Sequence, residues 1–214
     1  MTNILSYIST SSILLPLILL FFRFKLLTKD SLLIIIYVLL SFITESINFI
    51  IMYKFGNYTT VSSNFFTALE AILILLALYQ WSLNYKNRFI YIILLSIYLF
   101  FWCYSIYVNG ITKLSSMING TEAVVVITAS IYFLYNKFIS ETASNTKWQI
   151  TFSIAFLYYF LVNSGVYSFT ELFLNIEQPQ NWIYYSWVHL IGNFGLNTIL
   201  GVGIYQCSKQ SFMV

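Results

Sequence analysis

The chain has 214 residues, of which 59% are hydrophobic, 20% aromatic and only 8% charged, and its mean hydropathy is +0.80. Soluble domains carry about a quarter charged residues, so this composition describes an integral membrane protein with room for about seven spans of about 20 residues and none for a separate soluble domain. The net charge of +3 is dispersed and leaves no footprint for nucleic acid.

In chain order, the first apolar run covers about Leu5 to Phe22, contains Pro16, and ends at Arg23-Phe24-Lys25. No positive charge precedes it and basic residues follow, the pattern of a stop-transfer span rather than a cleaved signal peptide. Further runs extend from Ser31 to Tyr53, Ser62 to Trp81, Phe89 to Val108, Leu114 to Tyr135, Ile150 to Leu174 and Trp182 to Gln206. Each can cross about 30 Å of hydrocarbon at about 1.5 Å per residue. Residues 1–214 therefore read as a single all-α domain, a seven-helix transmembrane bundle. Cys103 and Cys207 fall in different spans near opposite faces, too far apart for a disulfide.

Charge sets the orientation. Arg23, Lys25, Lys29, Lys86, Arg88, Lys137, Lys147 and Lys209 lie in odd-numbered connections or at the C-terminus, against Lys54 and Lys113 on the other side. The positive-inside rule then predicts an outer N-terminus and a cytoplasmic C-terminus, which requires an odd number of spans. The connections are short and polar. None carries GxxxxGK[ST] or GxGxxG, and no cofactor is expected.

Within the spans, Glu45, Glu70, Glu122, Glu171 and His189 stand out. An acidic side chain at mid-membrane costs roughly 2.5–3.5 kcal/mol, whereas a leucine returns only about 0.3–0.6 kcal/mol. Each must be shielded, paired, protonated or hydrated. Glu45 shares a face with Ser41 and Asn48; Glu70 lies beneath Ser63 and Thr67; Glu122 lies beneath Ser115 and Asn119. Asn163, Tyr167 and Glu171 follow one another at steps of four, as do Tyr185, His189, Asn193 and Asn197 in the last span. The last span also holds Gly192, Gly195, Gly201 and Gly203, four of the chain's eight glycines, which mark a surface packed against protein.

Taken with the topology, all five ionisable groups fall in the outer half, and the inner half reads as almost wholly apolar. Spans one and four carry no such rows and are expected on the lipid side. The expectation is an outward-facing acidic pocket lined by Glu45, Asn48, Glu70, Glu122, Asn163, Tyr167, His189 and Asn193, holding protons, a metal ion or a cationic ligand group. For His189 an interhelical hydrogen bond and a ligand role both fit; Asn163 and Asn197 also suit interhelical bonding. A short likeness between Thr67-Ala68-Leu69-Glu70-Ala71 and Asn119-Gly120-Thr121-Glu122-Ala123 is too loose to read as a repeat.

Several chemistries are disfavoured. The last span has no lysine for a retinal Schiff base, Asp30 is the only aspartate, and His189 is the only histidine, against the several that an intramembrane zinc hydrolase needs. Ser164 is offset from the face of Asn163 and Tyr167, which argues against a Ser164–His189 dyad. A metal held by His189 and two glutamates is chemically reasonable.

From Pro16 and the Arg23-Phe24-Lys25 exit, through Glu45, Thr67-x-x-Glu70 and Tyr158 to Gly165, to His189 to Asn197, the chain resembles a group of seven-span bacterial inner-membrane proteins. In that group similar spans also look like the membrane sensor part of some histidine kinases. The resemblance implies a bacterial inner-membrane location and a separate protein partner for any signal. The expected function is a non-enzymatic receptor- or sensor-like subunit that takes a small ligand or cation. The alternatives are a proton- or cation-coupled transporter or channel, and a structural subunit of a membrane complex.

Overall fold

The computed structural model describes residues 11–55, 60–82, 85–113, 115–139, 147–168 and 179–210. Seven α-helices occupy them: α1 (Leu14–Arg23), α2 (Leu32–Phe55), α3 (Thr60–Trp81), α4 (Tyr85–Asn109), α5 (Ser116–Ile139), α6 (Lys147–Ser168) and α7 (Pro179–Gln210). No strand occurs among the described residues. Six of the helices, α2 to α7, contain stretches long and apolar enough to cross a membrane. The fold is all-α and the chain an integral, multi-pass membrane protein.

Of the first expected span, Leu5 to Phe22, the residues before Ser11 lie outside the described residues. Among the described residues α1 has 10 residues, about 15 Å at helical rise, and Ser12 and Ile13 form a turn ahead of it. Pro16 sits in its first turn, where a missing N–H leaves no intrahelical bond unmade. Two 3-10 turns, Phe24–Leu26 and Lys29–Ser31, then reverse the chain into α2, and Ser31 Oγ closes the second on Thr28 O at 2.7 Å. At the other face α4 stops at Gly110, whose φ of +78° suits only a residue without Cβ. Its N–H caps Ile106 O at 2.9 Å. Proline opens α7.

Consecutive helices pack on each other all the way round, and α7 returns to α1, closing a ring; α3 also touches α5 and α6 and so occupies the interior. On the α1–α7 contact Ser12 meets Asn197, Leu15 and Leu19 meet Gly201, Arg23 covers Tyr205 and Thr28 reaches Cys207. Both numbers rise together, so α1 and α7 run parallel. On the α6–α7 contact Asn163, Tyr158 and Phe152 meet Gly192, Gly195 and Gly203 in turn, an antiparallel order. The glycines let two backbones approach where a Cβ would meet ring or amide atoms at 2.1–2.7 Å.

One end of the bundle gathers Arg23, Lys25, Lys29, Arg88, Lys137 and Lys147, at the close of odd helices and the start of even ones. We call it the basic end. Trp81 anchors it: its ring contacts Trp148, Phe133 and Phe152 at centroid distances of 5.2, 6.1 and 6.1 Å, and its Nε1 donates to Asp30 O at 2.9 Å. At the far end, Asn64 Nδ2 donates to Ile111 O and Lys113 O at 2.8 and 2.9 Å, tying α3 to the α4–α5 connection, and Thr60 Oγ1 bonds Thr112 O. The outward faces carry Phe21, Phe22, Phe89, Phe100, Val124 and Phe138, an apolar rim suited to acyl chains.

Candidate functional site

The interior polar residues fall into two sets by their hydrogen bonds and neighbours. The first is built by α2 to α5. Glu70 and Glu122 are 5% and 1% exposed, on helices that run parallel in a fixed register. Trp81 and Phe133, in ring contact, are 52 positions apart, and so are Glu70 and Glu122, which brings the two carboxylates to one depth within electrostatic reach of each other. Buried Ala71 and Ala123, and Ala77 and Ala129, repeat that offset and keep the helices close. The short sequence likeness between Thr67–Ala71 and Asn119–Ala123 therefore corresponds to segments that lie side by side.

Hydroxyls surround the pair. Tyr37 Oη donates to Glu70 Oε1 at 2.9 Å. Tyr98 is within electrostatic reach of both carboxylates, and Glu45 of Glu70. Ser41 Oγ, Tyr98 Oη and Glu122 Oε1 are buried without a hydrogen-bond partner; Ser41 stands next to Tyr37 and Thr67 next to Tyr98, in both cases without a bond of ordinary geometry to the tyrosine. Among the described residues no cationic side chain pairs with Glu70 or Glu122. Asn48 accepts from Ser62 Oγ at 2.6 Å, one turn nearer the far end.

The second group lies on α6 and α7. His189 Nε2 and Asn193 Nδ2 are 3.1 Å apart, one turn along the same helix. Asn163 is fully buried, bonds Tyr159 O at 2.9 Å, and packs on Gly192 with its Oδ1 left without a partner. Ser164 Oγ donates to Leu161 O. Asn197 bonds Ser12 of the α1 segment at 2.7 Å and so joins helices. Glu171 and the side chains of Tyr167 and Tyr185 lie outside the described residues. Among those described, no three His, Cys, Asp or Glu side chains converge as a metal site would require, and His189 with two of Glu45, Glu70 and Glu122 forms no such group.

Glu70 is the eleventh of the 22 residues of α3, Thr60–Trp81, at the close of the first half of the helix. Two expectations need correction. α4 has the smallest buried share of the six long helices, as a lipid-side cover would, but it is not without an inward polar row, since it buries Tyr91, Tyr98 and Ser105. The inner half is not wholly apolar, since Ser130, Ser153 and Tyr91 are buried there and Thr151 bonds Gln206 at 2.7 Å. Tyr37 and Tyr98 were not among the expected site residues. Tyr37 extends the Ser41–Glu45 row by one step of four, a signal the sequence holds. Comparison with family models, with curated proteins and with solved structures gives no match.

Proposed function

We propose that the chain is a seven-span membrane subunit of the sensor type, non-enzymatic, with its N-terminus outside and its C-terminus in the cytoplasm of a bacterial inner membrane. Its stimulus is a proton or small cation held by Glu70 and Glu122. The observation that carries this reading is the pair itself: two buried carboxylates at one depth, with hydroxyls near them and no cationic side chain paired with them among the described residues. Two such groups in a low-dielectric interior need a proton or a cation between them. The titratable neighbours are Tyr37 and Glu45 from α2 and Tyr98 from α4; on α6, packed against α5, the buried titratable residue is Tyr159. A partner protein in the membrane or cytoplasm would receive the signal, and His189, Asn193 and Asn163 would form a further polar wall towards the far end.

Proton- or cation-coupled transport is the second reading, favoured by the mid-depth position of Glu70, since a coupling carboxylate must be reachable from both faces in turn. Infrared difference spectra of the purified protein, taken while pH and then sodium or potassium are varied, test the site. A protonated-carboxyl band should titrate, and Glu70→Gln and Glu122→Gln should each remove intensity from it. If neither variant alters the titrating bands, the pair is not the site. Flux of protons or cations in proteoliposomes separates the second reading from the first.

A further inference from the structure

α4 carries hydroxyl residues at strict steps of seven, Tyr91, Tyr98 and Ser105, with 1%, 0% and 1% of their surface exposed. Seven residues are nearly two full turns, so the three share one face. Tyr104, Tyr107 and Phe100 cover the opposite, exposed side of the helix. The buried face lies on α5 in antiparallel register: Ser105 Oγ bonds Ser115 Oγ at 2.7 Å, and one step of seven along each helix brings Tyr98 beside Glu122.

The rungs of this seam differ in saturation. Towards the far end Ser105 also accepts from Asn109 Nδ2. Beside it, Asn64 O takes bonds from Trp102 Nε1 and Thr67 Oγ1, while the Asn64 amide holds the connecting loop. That end of the seam is closed by satisfied bonds. Towards the basic end the reverse holds. Tyr98 Oη and Tyr91 Oη are both buried without partners, and Tyr91 adjoins Ser82 and Tyr132 where α3 ends and α4 begins. Arg88, less than one turn before Tyr91, bonds Ser82 O at 3.1 Å at the mouth of the seam.

We propose that the α4–α5 seam is a proton path from the basic end to the Glu70–Glu122 pair, with Tyr91 and Tyr98 as its relays. It rests on the reading of that pair as a proton site and adds the side from which the proton arrives. Buried polar oxygens of this kind take ordered water wherever the packing leaves room for it. The two tyrosines are separated by about 10 Å of helical rise, which about two or three waters at hydrogen-bond spacing span. Each hydroxyl takes a proton on its oxygen and releases the one it held to the next acceptor, ending on a carboxylate oxygen of Glu122. No tyrosine keeps a charge and no other reactant is consumed. In the seam the site is thus open to the basic end, whereas composition and topology alone pointed to outward access.

The test uses the full chain in sealed proteoliposomes of determined orientation, with dicyclohexylcarbodiimide, which modifies protonated carboxyl groups in membranes, as the probe and mass spectrometry of Glu122 as the readout. Acidifying the compartment at the basic end should raise labelling of Glu122. Tyr98→Phe and Tyr91→Phe should slow that rise by about 100-fold, the lower end of what one positioned proton-transfer group contributes. Tyr104→Phe, on the exposed face of α4, should respond as the unmodified chain. Tyrosine-to-phenylalanine changes retain the rings, and melting curves of each variant verify folding. A basic-end response that both variants leave unchanged, or labelling that follows only the opposite compartment, overturns the path while sparing the site. Labelling insensitive to pH on both sides overturns the path and the proton site together.

Discussion

Tyr37 and Ser41 lie one turn apart on α2 and face the same carboxylate pair, yet their hydroxyls stand in different circumstances. Tyr37 Oη donates to Glu70 Oε1, so its removal strands a buried carboxylate oxygen that no other described residue satisfies. Ser41 Oγ has no partner to lose. Leaving a buried polar atom unsatisfied costs about 1–3 kcal/mol, whereas deleting a hydroxyl already without a partner is close to neutral. Tyr37→Phe should therefore destabilise the protein by about 1–3 kcal/mol in reversible unfolding from mixed micelles, and Ser41→Ala by much less. Equal losses in the two variants would mean that the Tyr37–Glu70 bond contributes nothing of its own. The comparison also bears on charge. A hydroxyl donating to a carboxylate oxygen makes a stronger bond than one between neutral groups, so Tyr37→Phe should also shift the titrating carboxyl band described above.

At the scale of whole helices, the glycines of α7 divide between two neighbours: Gly192, Gly195 and Gly203 face α6, and Gly201 faces α1. A Cβ on Gly203 would come within 2.7 Å of the Phe152 ring, which is buried and fixed among Trp81 and Trp148. On Gly201 it would meet the methyl ends of Leu15 and Leu19, which can rotate aside on a short helix at the rim. Gly203→Ala should cost about 1–3 kcal/mol, in the range of overpacked cores, and Gly201→Ala less, read from unfolding midpoints of the two variants. The reverse order would show that the α1–α7 seam, not the α6–α7 seam, sets the stability of the last helix. These glycines were legible in the sequence because small residues on an apolar helix have few uses other than close packing. The carboxylates were legible for a similar reason, their cost in lipid. The hydroxyl face of α4 was not. Its members recur every seven residues instead of every four, and tyrosine in an aromatic-rich membrane chain looks the same whether it meets lipid headgroups or the core. Nor could the sequence show that Asn163 packs into the α7 seam while Glu122 meets Glu70, because which helices are neighbours is decided by packing between segments far apart in the chain.

For the molecule as a whole, the direction of the helices decides which charges share a face. Antiparallel neighbours from α1 round to α7, with α1 and α7 parallel where they meet, place Lys25 and Lys29 with Arg88, Lys137 and Lys147, and Thr112 with the opposite end. A bundle of this kind has one basic rim, and the positive-inside rule is the ground on which we propose that it faces the cytoplasm. The assignment carries a functional consequence: the proton path opens at the basic rim, so the Glu70–Glu122 pair would answer to cytoplasmic rather than external acidity. Cysteines at two exposed positions settle the orientation. Cys103 faces outward along α4 at lipid depth, and Cys207 is buried, so with Cys103→Ser the background labelling is low. Thr112→Cys should react with a membrane-impermeant maleimide in intact cells stripped of outer barriers, and Lys25→Cys only after the membrane is opened. The inverse pattern would turn the bundle over, leaving the site and its path in place but making the same pair a monitor of the outside.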